Sequence, residues 1–169
     1  MDKAGSRINR LNDQIGNGVA WAVLVMVLVQ VVVVILRYGF GLGSIFLQES
    51  ILYLHSAVFL LGAGYTLRHD GHVRVDIFYR TASEKTRATT DLLGSLFFLI
   101  PVAVLLIWIS LPYVIRSWSV LEGSRETSGI PAVFLLKSAI PLFAFLIALQ
   151  GLSMIGNAVK ALRRPNSSH

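Results

Sequence analysis

Apolar residues in this chain come in four long blocks, and acidic and basic side chains stand almost entirely between them. The blocks Gln14–Leu36, Ser50–Leu67, Leu92–Ile115 and Ser138–Val159 hold no Asp, Glu, Lys or Arg, and each is 18 to 24 residues long. A bilayer core about 30 Å thick takes roughly 20 helical residues at about 1.5 Å each. The pattern predicts four transmembrane helices, over about 14–38, 46–67, 90–115 and 134–159. Little chain remains for a soluble part, so residues 1–169 read as a single all-α integral membrane domain.

Smaller patterns refine this outline. Ile8, Leu11, Ile15 and Val19 recur at spacings of three and four, which is one helical face. They predict a short amphipathic N-terminal helix lying in the interface before the first span. The first block is longer than the apolar region of a signal peptide, and no small-residue cleavage site follows it, so it reads as a retained helix. Gly39–Ser44 is glycine-rich and predicts a break. Gly62-Ala63-Gly64, and later Gly151, Ser153 and Gly156, are small enough for a second helix to come close. Pro101 and Pro112 predict kinks in the third span. Ser83 is placed to cap the helix that leads into it. Trp108, Tyr113 and Trp118 gather toward its far end, where an aromatic belt is expected.

Composition and charge sharpen the picture. Hydrophobic residues make up 54% of the chain and charged ones 14%, as expected for a membrane protein. There is no cysteine, which excludes disulfides, thiolate metal sites and cysteine catalysis. The net charge of +6 sits beside apolar spans, so its partners are membrane lipids and not nucleic acid. Eleven of the 15 Lys and Arg lie in the two tails and the central loop. Only Arg37, Arg116, Arg125 and Lys137 lie on the other side. By the positive-inside rule both termini are cytoplasmic.

Few residues offer chemistry. Glu49 opens the second span, and Arg37 closes the first, so the two are expected to form a structural ion pair; an embedded carboxylate is otherwise a candidate ion or proton site. His55 is the one histidine within a span and is expected to be packed and hydrogen-bonded, since a bis-histidine haem needs a second at membrane depth. The central loop runs His72-Val73-Arg74-Val75-Asp76. His72 and Asp76 lack a third metal ligand, so His72, Arg74 and Asp76 read as loop-holding or interface groups. Arg116, Glu122, Arg125 and Glu126 form a mixed-charge outer loop, suited to transient docking. No catalytic, cofactor-binding or metal-binding set emerges.

At this point the chain resembles the small membrane subunit of tripartite ATP-independent periplasmic (TRAP) transporters. The resemblance rests on Arg37-Tyr38-Gly39-Phe40, Gln48-Glu49 and His72-Val73-Arg74-Val75-Asp76. It continues through Pro112-Tyr113-Val114, Ser117-Trp118, Gly129-Ile130-Pro131, Lys137, Ile140-Pro141 and Leu149-Gln150-Gly151-Leu152-Ser153. It covers roughly residues 7–160. One departure is that Phe46-Leu47-Gln48-Glu49 keeps only one acid where many members carry two. The resemblance implies a subunit of the bacterial inner membrane that is not an enzyme and needs no cofactor. It implies binding to a large permease subunit, which holds the substrate and sodium sites and has an elevator domain. A periplasmic solute-binding protein would deliver the solute, usually an organic acid. The small subunit would brace the fixed part of the large one, with Arg37, Glu49, His72, Arg74, Asp76 and Lys137 as structural or interface groups. The rival readings are a small four-helix exporter, a haem-anchoring subunit and a nonspecific structural or assembly subunit. Exporters of that size carry a glutamate in helix one, which this chain lacks.

Overall fold

The computed structural model describes residues 3–72, 79 and 81–163. Every regular element among them is helical: α1 (Lys3–Gly39), α2 (Ile45–Arg68), α3 (Glu84–Gly94), a π-helical turn (Ser95–Leu99), α4 (Ile100–Ser119) and α5 (Val133–Arg163). The π turn joins α3 and α4 into one continuous helix, so four helices are long and apolar enough to cross a membrane. The turn precedes Pro101, which has no N–H to donate. Ile100 N–H instead reaches back five residues to the Ser95 carbonyl.

Local chemistry sets the ends. Ser44 caps α2 by accepting from Leu47 N–H, and Ser83 caps α3 by accepting from Thr86 N–H. The glycine-rich break after α1 forms as expected. Gly41 takes φ +69, and Leu42 N–H closes onto the Leu36 carbonyl. α2 and α4 both end in a Schellman turn. At α2, Gly71 N–H bonds Thr66 O and Asp70 N–H bonds Leu67 O. At α4, Glu122 N–H bonds Ser117 O and Leu121 N–H bonds Trp118 O. The left-handed positions are Asp70 and Leu121, with φ 53 and 45.

The helices lie side by side in the order α1, α2, α5, α4, and α5 touches every other helix. Accordingly 17% of the most apolar stretch of α5 is buried, against 6% in α1 and α2. Small residues permit the contacts. A Cβ on Gly16 would lie 2.2 Å from the Tyr65 ring, and one on Gly64 would lie 2.7 Å from Asn12 Oδ1. Gly151 admits Leu99 in the same way. The small segments marked in the sequence, Gly62-Ala63-Gly64 and Gly151 with Ser153, are buried where helices meet, whereas Gly156 has nothing close by.

The N-terminal expectation needs correction. The tail is not a separate helix ahead of the first span: α1 runs unbroken from Lys3 to Gly39. Hydrogen bonds hold this part of α1 against α2 and α5, so the chain has no reason to turn there.

Candidate functional site: polar clusters at the two ends of the bundle

Polar side chains concentrate at the two ends. At the end formed by the loop 120–132, the Schellman turn after α4 folds Glu122 back over the last helical turn. There Ser117 donates to its Oε2 at 2.7 Å, and Lys137 Nζ lies 2.5 Å from the same oxygen. Lys137 is in the second turn of α5, where the helix dipole disfavours a cation, and the Glu122 carboxylate offsets this. The ammonium also sits 4.0 Å from the centre of the Tyr113 ring. The Lys137 hydrogen bond, then the Ser117 hydroxyl, hold the Glu122 carboxyl below its ordinary value.

Glu49 clamps the same loop from the other side. Its two oxygens accept from the Ser124 hydroxyl and, at 2.6 Å, from Ile130 N–H. Gly129 makes room for this, since a Cβ there would meet Ser124 and Glu49 Oε1. The expected Arg37–Glu49 pair does not form. Among the described residues Arg37 has no ion pair; it is exposed at the end of α1, while the Glu49 carboxylate turns toward the loop. A cleft of about 390 Å³ opens beside Glu49, lined by Ile45, Gln48, Leu52 and Glu126.

The other outer-loop charges are placed differently. Arg116, Arg125 and Glu126 are exposed. Glu122 is not a free surface charge, because Lys137 and Ser117 hold it. Trp108, Tyr113 and Trp118 are exposed on this half of the chain, and Trp118 donates to Ser138 Oγ at 2.8 Å.

At the opposite end, three helices share buried amides. Asn12 Nδ2 donates to Gln150 Oε1 at 2.8 Å, and both residues are almost fully enclosed. Ser153 donates to Asn9 Oδ1 at 3.2 Å. Arg68 pairs with Asp13 and also donates to the Asn9 carbonyl. Sequence reasoning passed over this cluster. Its one visible signal was Gln150, one of two amides in the last apolar block.

The remaining expected sites scatter. His72 is exposed, whereas Arg74 and Asp76 lie outside the described residues. His55 is not packed: it is exposed, stacks on Phe59 at 4.6 Å, and has no hydrogen bond among the described residues. No three His, Cys, Asp or Glu come together among the described residues to hold a metal. Between the two ends, no acid, Lys or Arg lies from Gln14 to Leu36, from Leu92 to Ile115 or from Ser138 to Val159.

Neither the curated proteins nor the solved structures give a match. Residues 24–161 match the family described as tripartite ATP-independent periplasmic transporters, DctQ component. With four membrane-capable helices and most of its length inside that match, the chain belongs to the DctQ family, the small membrane component of TRAP transporters.

Proposed function

We propose that this chain is the non-transporting scaffold of a sodium-coupled, binding-protein-dependent symporter for organic acids. It braces the large permease subunit in a bacterial inner membrane. Residues 1–169 act as one membrane domain, with both termini and the central loop cytoplasmic. That orientation follows the Lys and Arg bias, and it puts the loop 120–132 in the periplasm. The exposed Arg116, Arg125 and Glu126 then form part of the surface on which a solute-loaded binding protein docks, and the Glu49 and Glu122–Lys137 clamps hold that surface in shape. Arg37, His72, Arg74 and Asp76 serve subunit contacts, and the basic flanks meet anionic lipid.

One observation carries this reading. The charged groups lie at the two ends, where Asp13, Glu49, Arg68, Glu122 and Lys137 are tied to neighbouring helices and loops, and among the described residues no chain of ionisable groups crosses the bundle such as a coupled ion site needs. Purified chain in proteoliposomes should show no sodium-driven uptake of any organic acid. Adding the large subunit and the binding protein should restore it. Robust uptake by the chain alone would overturn the scaffold reading.

A further inference from the structure

We propose that one exposed stripe of α2, formed by Gln48, Leu52, His55 and Phe59, receives a transmembrane helix of the large permease subunit. The inference rests on the reading above and adds the face and chemistry of the contact. The four residues follow one another at spacings of four, three and four, which keeps them on one side of the helix. All four are exposed, Leu52 by 52% and Phe59 by 68%.

The polar members decide what covers the stripe. His55 lies about 15 Å along α2 from its start, near the middle of a bilayer core about 30 Å thick. An imidazole facing lipid there has no water and no partner, which is costly. The neighbouring helix repeats the pattern. Contacts of Gly16 with Tyr65 and of Val19 with Gly62 fix the antiparallel register of α1 and α2. That register brings Gln30, also exposed, level with Ile51, within about one helical turn of His55. By contrast, the exposed side chains from Leu96 to Ile109 on the far edge are apolar, with the Trp108 indole as the one polar group. Lipid satisfies that edge; the α2 stripe needs a protein that brings hydrogen-bonding groups.

Charge specifies the partner further. The cleft at the outer end of the stripe is lined by Gln48, Glu49 and Glu126 but by no base. Glu49 is held by Ser124 and Ile130, whereas Glu126 has no ion pair among the described residues. The complementary helix therefore carries a Lys or Arg at its periplasmic end and a hydrogen-bonding side chain opposite His55.

The test is site-specific photo-crosslinking in membranes that co-express the large subunit. A benzophenone side chain replaces Leu52 or Phe59 on the stripe, or Phe97 or Leu105 on the opposite edge. Adducts with the large subunit should form from Leu52 and Phe59 and not from Phe97 or Leu105. If the large subunit co-purifies but the stripe gives no adduct with it, the stripe is wrong and the scaffold reading stands. An adduct of the chain with a second copy of itself from the stripe overturns the assignment in the same way. If the large subunit does not co-purify at all, the scaffold reading fails and the stripe with it. His55→Leu offers a second measure. It should lower recovered complex about tenfold without changing the melting temperature of the isolated chain, and His55→Gln should restore much of it. Unchanged or higher recovery in His55→Leu would mean that His55 faces lipid, and would overturn the proposal.

Discussion

The two ends of this bundle are held by different chemistry. At the end where α1 begins and α5 finishes, the amide pair Asn12–Gln150 is sealed between helices, with the part-buried Asn9–Ser153 contact and the Asp13–Arg68 ion pair beside it. At the loop end, carboxylates do the holding, and they remain partly open to water: the Glu122 side chain is 35% exposed. A buried amide pair is insensitive to pH and salt, and loses most when one partner is removed. A half-exposed ion pair contributes less and responds to both. The first end should therefore set whether the helices stay together. The second should set the shape of a surface that other proteins meet.

The largest effect should come from steric contact at the amide end. On Gly16, a Cβ would lie 2.2 Å from one Tyr65 ring atom and 2.9 Å from Tyr65 Cβ, so the ring cannot simply swing aside. Gly16→Val should force α1 and α2 apart and cost about 1–3 kcal/mol. Unfolding in mixed micelles would measure it. A melting temperature equal to wild type would show that this end is loosely packed and does not hold the helices together.

The amide pair is the next test. Asn12→Leu leaves Gln150 without its donor, and Gln150→Leu leaves Asn12 without its acceptor; either should cost about 1–2 kcal/mol. The double substitution removes both polar groups and should recover most of the loss. The coupling should be the same at pH 5 and pH 8, since neither group titrates. A double variant as unstable as the sum of the singles would show that the two amides act independently.

The asymmetry between the ends also explains what could be read from the sequence. The four spans were legible because lipid imposes one strong rule, a long uncharged helix, on each of them. The Ser83 cap was legible because its partner, Thr86, is three residues away. Glu49 was marked by its charge, but its partners lie 75 and 81 residues further on. Arg37 looked like the partner only because it was near in sequence. The Asn12–Gln150 contact spans 138 residues, and neither amide stands out until the helices are side by side. The continuity of α1 was hidden for a related reason. The contacts that hold residues 9–16 of α1 reach Tyr65, Arg68, Gln150 and Ser153, all far along the chain.

At the loop end the expected effects are smaller and depend on pH. The Glu122 carboxyl is held below its ordinary value, 4.5, first by Lys137 and then by Ser117. A carboxylate with a lowered folded-state value contributes stability that is fully present above its unfolded value and is lost as pH falls through the folded one. Protection of the backbone around Glu122, followed by hydrogen exchange at Leu121, Glu122 and Phe134, should hold steady above pH 5. It should decline as the pH falls through the lowered value. Glu122→Gln should be less protected at neutral pH and should lack that acid-dependent step. A step of full size in Glu122→Gln would assign it to Glu49 instead.

The smallest effect should be seen at the exposed loop charges, and it should vanish with salt. Arg116 and Arg125 are solvent-exposed, while Glu122 is committed to Lys137 and Glu126 faces the cleft beside α2. If the periplasmic binding protein docks here, the contact has to be brief, and rim charges of this kind steer encounter more than they add affinity. Reversing both arginines to glutamate should raise the half-saturating concentration of binding protein severalfold in reconstituted transport at low ionic strength. The maximal rate and the recovery of the complex should not change, because neither side chain holds the loop clamps. At about 1 M salt, where the Debye length is near 3 Å, the variant and wild type should converge. A half-saturating concentration that is unchanged at low salt would place docking on the large subunit, and would leave the loop end with a structural task like that of the amide end.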